Sequence, residues 1–309
     1  MKLSVVATLY QSESYVEEFV RRAAQQARKI TKNYEIILVD DGSPDRSLET
    51  ALRLRAKIPQ LRIVELSRNF GHHKAMMTGL ECAGGDLIFL IDVDLEEPPE
   101  ILPTFFEEMK KGSWDVVYGV VKKRRGGLLK RIGGKLAWDI LQATLPIRVP
   151  RDQSTVRLMT RPYVEALIRH KEHKTAIGGL WVITGFRQNG LLFDKLNRDK
   201  SSYTFLKRLD VFFASVTSFS EVPLYGVFVL GLGMFLMSLL VAFYLIYIRL
   251  AGTILAGWIS VMVSVWGLSG LILLCIGLVG IYISRIFIET KNRPYVIIRN
   301  KHGFTDRKG

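Results

Sequence analysis

Between Val222 and Arg285 the sequence carries one charged residue, Arg249, and this apolar block follows more than two hundred residues of ordinary mixed polarity. A hydrocarbon core of about 30 Å needs about 20 apolar residues per helical span. The block divides at Arg249 into stretches of about 224–248 and 254–284, so two spans fit and both flanks fall on one side. The expected organisation is a globular domain over residues 1–220, two transmembrane helices within 221–285 and a basic tail over 286–309. A net charge of +14 with 49% hydrophobic residues is too apolar for a soluble basic protein and too polar for a multi-span carrier. The first ten residues read as a strand with no apolar run long enough for a signal peptide. After the spans, Arg285, Lys291, Arg293, Arg299, Lys301, Arg307 and Lys308 outnumber Glu289 and Asp306. That positive-inside pattern predicts an inner or plasma membrane protein with head and tail in the cytoplasm. Cys82 and Cys275 suggest neither a disulfide nor a metal cage.

Within the head, short apolar runs at 3–7, 36–39, 63–66, 87–91 and 116–120 alternate with amphipathic stretches at 13–30, 45–57 and 72–83. Continuous apolar runs are the mark of strands buried on both faces, and the βαβα alternation predicts a mostly parallel, helix-covered sheet. Ligands in such sheets sit at the carboxyl ends of the strands. Two runs end in acids there: Asp40-Asp41-Gly42-Ser43, and Asp92-Val93-Asp94-Leu95-Glu96. The first reads equally as a turn and helix cap. The second, read as extended with Asp92, Asp94 and Glu96 on one side, suits a hard divalent cation shared with a diphosphate. No G-x-G-x-x-G or P-loop signature is present, which disfavours dinucleotide enzymes and P-loop NTPases. His72 and His73 read as a helix start.

Between positions 116 and 138, Lys122, Lys123, Arg124, Arg125, Lys130, Arg131 and Lys135 occur with no acid after Asp115, interleaved with Leu128, Leu129, Ile132, Leu136 and Trp138. Such a basic amphipathic stretch belongs at a membrane surface. It either touches anionic headgroups or receives a lipid phosphate. Nucleic acid is not the expected partner, because the adjacent spans account for the charge. Glycines in the spans, such as Gly231, Gly233, Gly277 and Gly280, suit close helix packing and allow a homo-oligomer.

The ordered set Val6-Ala7-Thr8-Leu9-Tyr10, Asp40-Asp41-Gly42-Ser43, Leu66-Ser67-Arg68-Asn69-Phe70-Gly71 and Asp92-Val93-Asp94-Leu95-Glu96-Glu97-Pro98-Pro99 resembles the family 2 glycosyltransferases of GT-A fold. Within these it is most similar to the polyprenyl-phosphate group that includes dolichyl-phosphate mannose synthase and bactoprenol glucosyltransferase. The likeness continues through Val156-Arg157-Leu158-Met159, Gly185-Phe186-Arg187-Gln188 and the two-span C-terminus, nearly the whole chain. It implies a Rossmann-like GT-A domain and an inverting transfer of one sugar from a nucleotide-diphosphate sugar to a polyprenyl phosphate, undecaprenyl being the expected lipid, for cell-envelope glycan or lipid modification. By position, Thr8, Tyr10 and Asp41 match the residues that hold nucleobase and ribose, with Glu13 and Asp40 alongside and Arg68 matching a basic residue near the nucleotide. Asp92, Asp94 and Glu96 match the site for Mg²⁺ or Mn²⁺ and the diphosphate, where the family usually has Gln in place of Glu96.

On the acceptor side, Lys122, Lys123, Arg124 and Arg131 form one basic group and Lys195 with Arg198 a second. Two departures stand out. Val121 replaces a common Arg, and Ser154-Thr155-Val156-Arg157-Leu158 replaces Gly-Asp-Phe-Arg-Leu, which removes a proposed base and leaves Asp152 as its substitute. A phosphomonoester with a second pKa of about 6 is already largely dianionic near neutral pH and needs no base. The rival readings are a processive polysaccharide synthase, for which a Gln-x-x-Arg-Trp segment is missing, and a non-catalytic membrane scaffold with a degenerate transferase head.

Overall fold

The computed structural model describes residues 1–122, 142, 148–150, 152–172, 177–195, 222–250, 257–291 and 293–304. In chain order these form β1 (Leu3–Leu9), α1 (Glu13–Ile30), β2 (Tyr34–Asp40), α2 (Ser47–Arg55), β3 (Leu61–Leu66), α3 (His72–Cys82), β4 (Leu87–Leu90), α4 (Ile101–Gly112) and β5 (Val116–Val121). There follow β6 (Gln153–Thr160), α5 (Arg161–Leu167), α6 (Ile177–Ile183), β7 (Gln188–Phe193), α7 (Val222–Leu250), α8 (Trp258–Thr290) and β8 (Ile298–His302). The first five strands and first three helices fall where the apolar runs and amphipathic stretches predict them.

The strands make one eight-stranded sheet in the order β7-β5-β6-β4-β1-β2-β3-β8. Most of its strands run parallel, as expected, but the sheet is mixed: β6 runs antiparallel between β4 and β5, and β8 runs antiparallel along the far edge of β3. The basic segment after the last helix, expected as a tail, therefore supplies a strand to the sheet.

Side chains of a strand alternate between faces, and both faces here are covered. From β1 and β2, Val5, Ala7, Ile36 and Leu38 join Val16, Phe19 and Val20 of α1 and Phe105 of α4 in one core. Val6, Ile37 and Val39 join Met76 and Leu80 of α3 and Tyr163 of α5 in the other. Gly79 lets α3 lie against the sheet, since a Cβ there would stand 2.5 Å from Val6 Cγ1 and 2.9 Å from Val39 Cγ2.

Over their described residues the two apolar stretches contain the helices α7 and α8. Among the described residues one segment is long and apolar enough to cross a bilayer, Gly267–Thr290, with a mean hydropathy of 2.5 and no part of it buried inside the protein.

Candidate active site at the carboxyl edge of the sheet

The parallel strands deliver their carboxyl ends to one edge, and six acids gather at the ends of β2 and β4. Thr8, near the end of β1, is buried, and its Oγ1 lies 3.0 Å from His72 Nδ1. Asp40 ends β2, Asp41 follows it, and both are buried. Asp41 accepts the Phe70 N–H at 2.7 Å and the Gly71 N–H at 3.0 Å, and so holds the loop that leads into α3. Burial raises both carboxyls above the usual range, against the lowering effect of these and the Ser43 amide hydrogen bonds. Gly42, at φ 64°, allows this approach, because a Cβ would meet Asn69 N at 2.6 Å. The Asp-Asp-Gly-Ser segment is thus a turn and also a brace for the neighbouring loop.

Tyr10 is exposed just beyond β1. Arg68 folds over its own loop, with the guanidinium 4.0 Å from the Phe70 ring and a hydrogen bond to Asn69 O. Glu13 turns toward α2 instead, accepting the Arg46 N–H at 3.4 Å while its own amide donates to Asp45 at 3.1 Å.

The acids after β4 differ from the extended arrangement expected of them. The strand stops at Leu90 and Leu95 adopts φ 60°, so the backbone turns between Asp94 and Glu96. His72 Nε2 lies 3.3 Å from Asp92 Oδ1, an oxygen that is buried and accepts no hydrogen bond. Asp94 accepts the Glu96 amide at 3.0 Å, and burial, with the charges of Asp92 and Glu96, raises its carboxyl. Glu96 pairs instead with Lys195 at 3.0 Å. Glu97 is 1% exposed, accepts a hydrogen bond from Ser154 Oγ and lies 3.8 Å from Lys195. Burial and the charge of Asp92 push its carboxyl up to about 8, with Lys195 opposing. Below this cluster Arg157 is fully buried, its guanidinium 3.0 Å from the Trp181 ring centroid, and burial lowers it to about 9.

His72 and Glu97 are the residues that pattern reading undervalued. His72 starts α3, as expected, and its ring, hydrogen-bonded to Thr8, stands beside Asp92. A polar residue at a helix start next to a Gly-ended loop was the available signal. Glu97 was hidden by its place before two prolines.

Among the described residues, no group of three or more His, Cys, Asp or Glu side chains is arranged to hold a metal ion. Asp92 and Asp94 nonetheless suit one: Mg²⁺ is commonly gripped by one or two carboxylates together with substrate phosphates, and Asp92 Oδ1 is buried with no hydrogen-bond partner. With its carboxylate on Lys195, Glu96 fits the donor set less well.

Strand direction brings further residues to this edge. Val121 ends β5, Gln153 begins the antiparallel β6, and Phe193 ends β7, all on the side of the acids. Lys122 pairs with Asp194 at 3.0 Å, and Asp152, at φ 60°, accepts the Val121 N–H through its backbone carbonyl. Lys195 arrives beside Glu96 and Glu97. Lys123, Arg124, Arg131 and Arg198 lie outside the described residues.

The sheet is a mixed α/β sheet of GT-A type. Its fold is shared with glucosyl-3-phosphoglycerate synthase from Mycobacterium tuberculosis in complex with uridine-diphosphate, at a TM-score of 0.50 and 18% identity, covering 70% of this chain and 80% of that one. The chain belongs to glycosyl transferase family 2, whose family model matches residues 4–170. It is 49% identical, over 98% of its own length and 89% of the relative's, to a protein of Mycobacterium tuberculosis (strain CDC 1551 / Oshkosh) named among putative glycosyltransferases. It is 32% identical, over 96% and 89% of the two chains, to the undecaprenyl-phosphate 4-deoxy-4-formamido-L-arabinose transferase of Pseudomonas paraeruginosa (strain DSM 24068 / PA7). The protein is a family 2 glycosyltransferase.

Proposed function

We propose that this enzyme transfers one sugar from a nucleotide-diphosphate sugar to a polyprenyl phosphate at a membrane surface, with inversion at the anomeric carbon. The observation that carries the reading is the Asp92–Asp94 pair at the carboxyl edge, where Asp92 Oδ1 is buried without a hydrogen-bond partner and His72 stands between it and Thr8. The nearly full-length similarity to an undecaprenyl-phosphate sugar transferase supports the acceptor class.

In this reading Thr8, Tyr10, Asp40 and Asp41 face the nucleoside, with Glu13 and Arg68 flanking it. Asp92 and Asp94, with Glu96 as a more distant member, would hold Mg²⁺ or Mn²⁺. Such an ion, when bound, neutralises a departing diphosphate as a Lewis acid. A lipid phosphate oxygen attacks the anomeric carbon as the bond from that carbon to the diphosphate oxygen breaks, and the electron pair leaves with the nucleoside diphosphate. The acceptor is already largely dianionic near neutral pH, so alignment and charge suffice. Lys122 and Lys195, together with Lys123, Arg124, Arg131 and Arg198, would receive the lipid phosphate. Asp152 is the residue to test as a base, with no large effect expected.

The organisation that goes with this reading is a catalytic head over residues 1–220 that β8 completes, and a hairpin made of α7 and α8. The polarity of flanking cations favours a cytoplasmic head.

The deciding experiment incubates detergent-purified protein with undecaprenyl phosphate, Mg²⁺ or Mn²⁺ and a panel of nucleotide sugars, and reads lipid products by mass spectrometry. A new lipid-phosphate-sugar mass that disappears with Asp94→Asn supports the reading. Transfer to water or a soluble acceptor alone would overturn the acceptor assignment, and undiminished product from Asp94→Asn would overturn the role of that acid.

A further inference from the structure

The segment that leaves the apolar helix α8 returns to the head and is built into the loop that Asp41 holds. Ile297 O accepts the Ser67 N–H at 2.9 Å, and the β3–β8 ladder then runs on from Leu66 opposite Ile298. Arg299 reaches two places at once: Glu65 Oε1 at 3.2 Å and Ser67 O at 3.3 Å. Asn300 donates to the other Glu65 oxygen at 2.8 Å. Before the strand, Tyr295 lies under Lys74 of α3, its ring centroid 5.2 Å from Nζ, and Tyr295 and Val296 pack against the core on the α3 side. Lys74 also feels Glu289 near the end of α8.

Residues 67–71 are therefore clamped from two directions. From inside, Asp41 takes the amides of Phe70 and Gly71. From outside, the Ile297 carbonyl takes the Ser67 amide and the Arg299 side chain takes the Ser67 carbonyl. His72, which stands between Thr8 and Asp92, begins the helix that follows at once. Loop geometry on this side is consequently set by two clamps that come from opposite ends of the sequence. One of them starts within a few residues of the bilayer-competent segment Gly267–Thr290.

We propose that the segment 293–302 is a positioning strap for the donor side of the active site, in which Arg299 and Tyr295 hold residues 67–74 and thereby His72 and Asp41 in register for the nucleotide. This rests on the transferase reading for what is bound, but not for the clamping itself. Arg299 is largely exposed and its ion pair alone contributes little. The double variant Arg299→Ala/Tyr295→Ala is the informative perturbation, with Arg299→Lys/Tyr295→Phe as the conservative control.

Hydrogen–deuterium exchange on full-length protein in detergent is the first measurement. The peptide spanning 67–74 is expected to exchange about tenfold faster in the double alanine variant, with peptides from α1 and β2 unchanged and the conservative variant close to wild type. Binding of UDP and GDP, each with Mn²⁺, is measured alongside. The dissociation constant of whichever nucleotide binds is expected to rise several-fold, with recovery in the conservative variant, while turnover at saturating donor stays within about twofold. Unchanged exchange at 67–74 in a folded double variant would overturn the strap. If that variant does not fold, Arg299→Ala and Tyr295→Ala singly carry the same comparison. Wild-type protein that binds neither nucleotide would count against the donor role of the strap, whereas the exchange result would still decide the clamping.

Discussion

At the amino edge of the parallel strands, Glu35 is 2% exposed and closely paired: Lys2 and Arg62 each stand 2.7 Å from one oxygen, and the other accepts from Ser4 Oγ at 2.6 Å and the Gly84 N–H at 2.7 Å. At the carboxyl edge of the same strands, Asp41, Asp94 and Glu97 are also buried or half-buried, yet lack cations in proportion. Burial pushes every one of these carboxyls upward. At Glu35 the hydrogen bonds from Lys2, Ser4 and Gly84 more than offset it and the group is held below its ordinary value, whereas at the carboxyl edge burial prevails. One edge holds its carboxylate ionised with partners from within the protein, whereas at the other burial opposes ionisation, so that a cation from outside would supply the missing counter-charge.

The largest expected difference between the edges is in turnover. Asp94→Asn removes charge from the under-compensated edge and is expected to reduce glycolipid formation about 1,000-fold, while the melting temperature holds or rises because a buried like-charge repulsion is relieved. A fall in both together would erase the contrast. Glu35→Gln is the mirror experiment. Leaving Lys2 and Arg62 without their anion is expected to cost about 3 kcal/mol of stability, with donor affinity unchanged in the folded fraction.

The pH dependence of the Glu35 effect follows from the direction of its shift. A carboxyl held low in the folded state contributes stability that is present above its unfolded value of about 4.3 and lost as pH falls through the folded value. The deficit of Glu35→Gln should be full at neutral pH and shrink in chemical denaturation below about pH 4.

A third comparison uses Mn²⁺ as the visitor to the open edge. At about 100 times its Kd it should stabilise the wild type by about 2.7 kcal/mol, reversibly with chelator, and leave Asp92→Asn/Asp94→Asn unmoved. Equal stabilisation of both proteins would sink the assignment of these acids to a cation. The smallest effect is expected at Asp41, where Asn keeps one acceptor for the amides of Phe70 and Gly71. Asp41→Asn should cost about 1 kcal/mol by thermal unfolding, with exchange at the Gly71 amide rising first.

The β1–β5 half of the head was legible because its strands are buried on both faces and therefore carry unbroken apolar runs, such as Ile36 to Val39, bounded by turn residues. The remaining strands carry no such mark. Strand β6 has a buried arginine at its centre, β7 contains Gln188, Asn189 and Gly190, and β8 reads Ile-Arg-Asn-Lys-His, as an edge strand half in water can. Their places come from long-range pairing that no local pattern encodes. In the site, acids behind strands were visible from position alone. The left-handed turn at Leu95 was not, and it redirects Glu96 from the expected cation cluster to Lys195. Nor did spacing bring His72 to Asp92, since the two meet only because β1 lies between β2 and β4.

The partner that completes the sheet arrives very late in synthesis. Glu65 and Asn300 face each other across β3 and β8 although 235 residues separate them in the chain. At about 5–20 residues per second, a ribosome needs roughly 10–50 seconds to make the intervening stretch, and both apolar helices are made within it. Throughout that interval β3 offers an open row of amides and carbonyls, the kind of edge on which nascent chains associate. Maturation of the head is thereby coupled to delivery of α7 and α8, and a stall between the two would leave a nearly finished domain with an adhesive side.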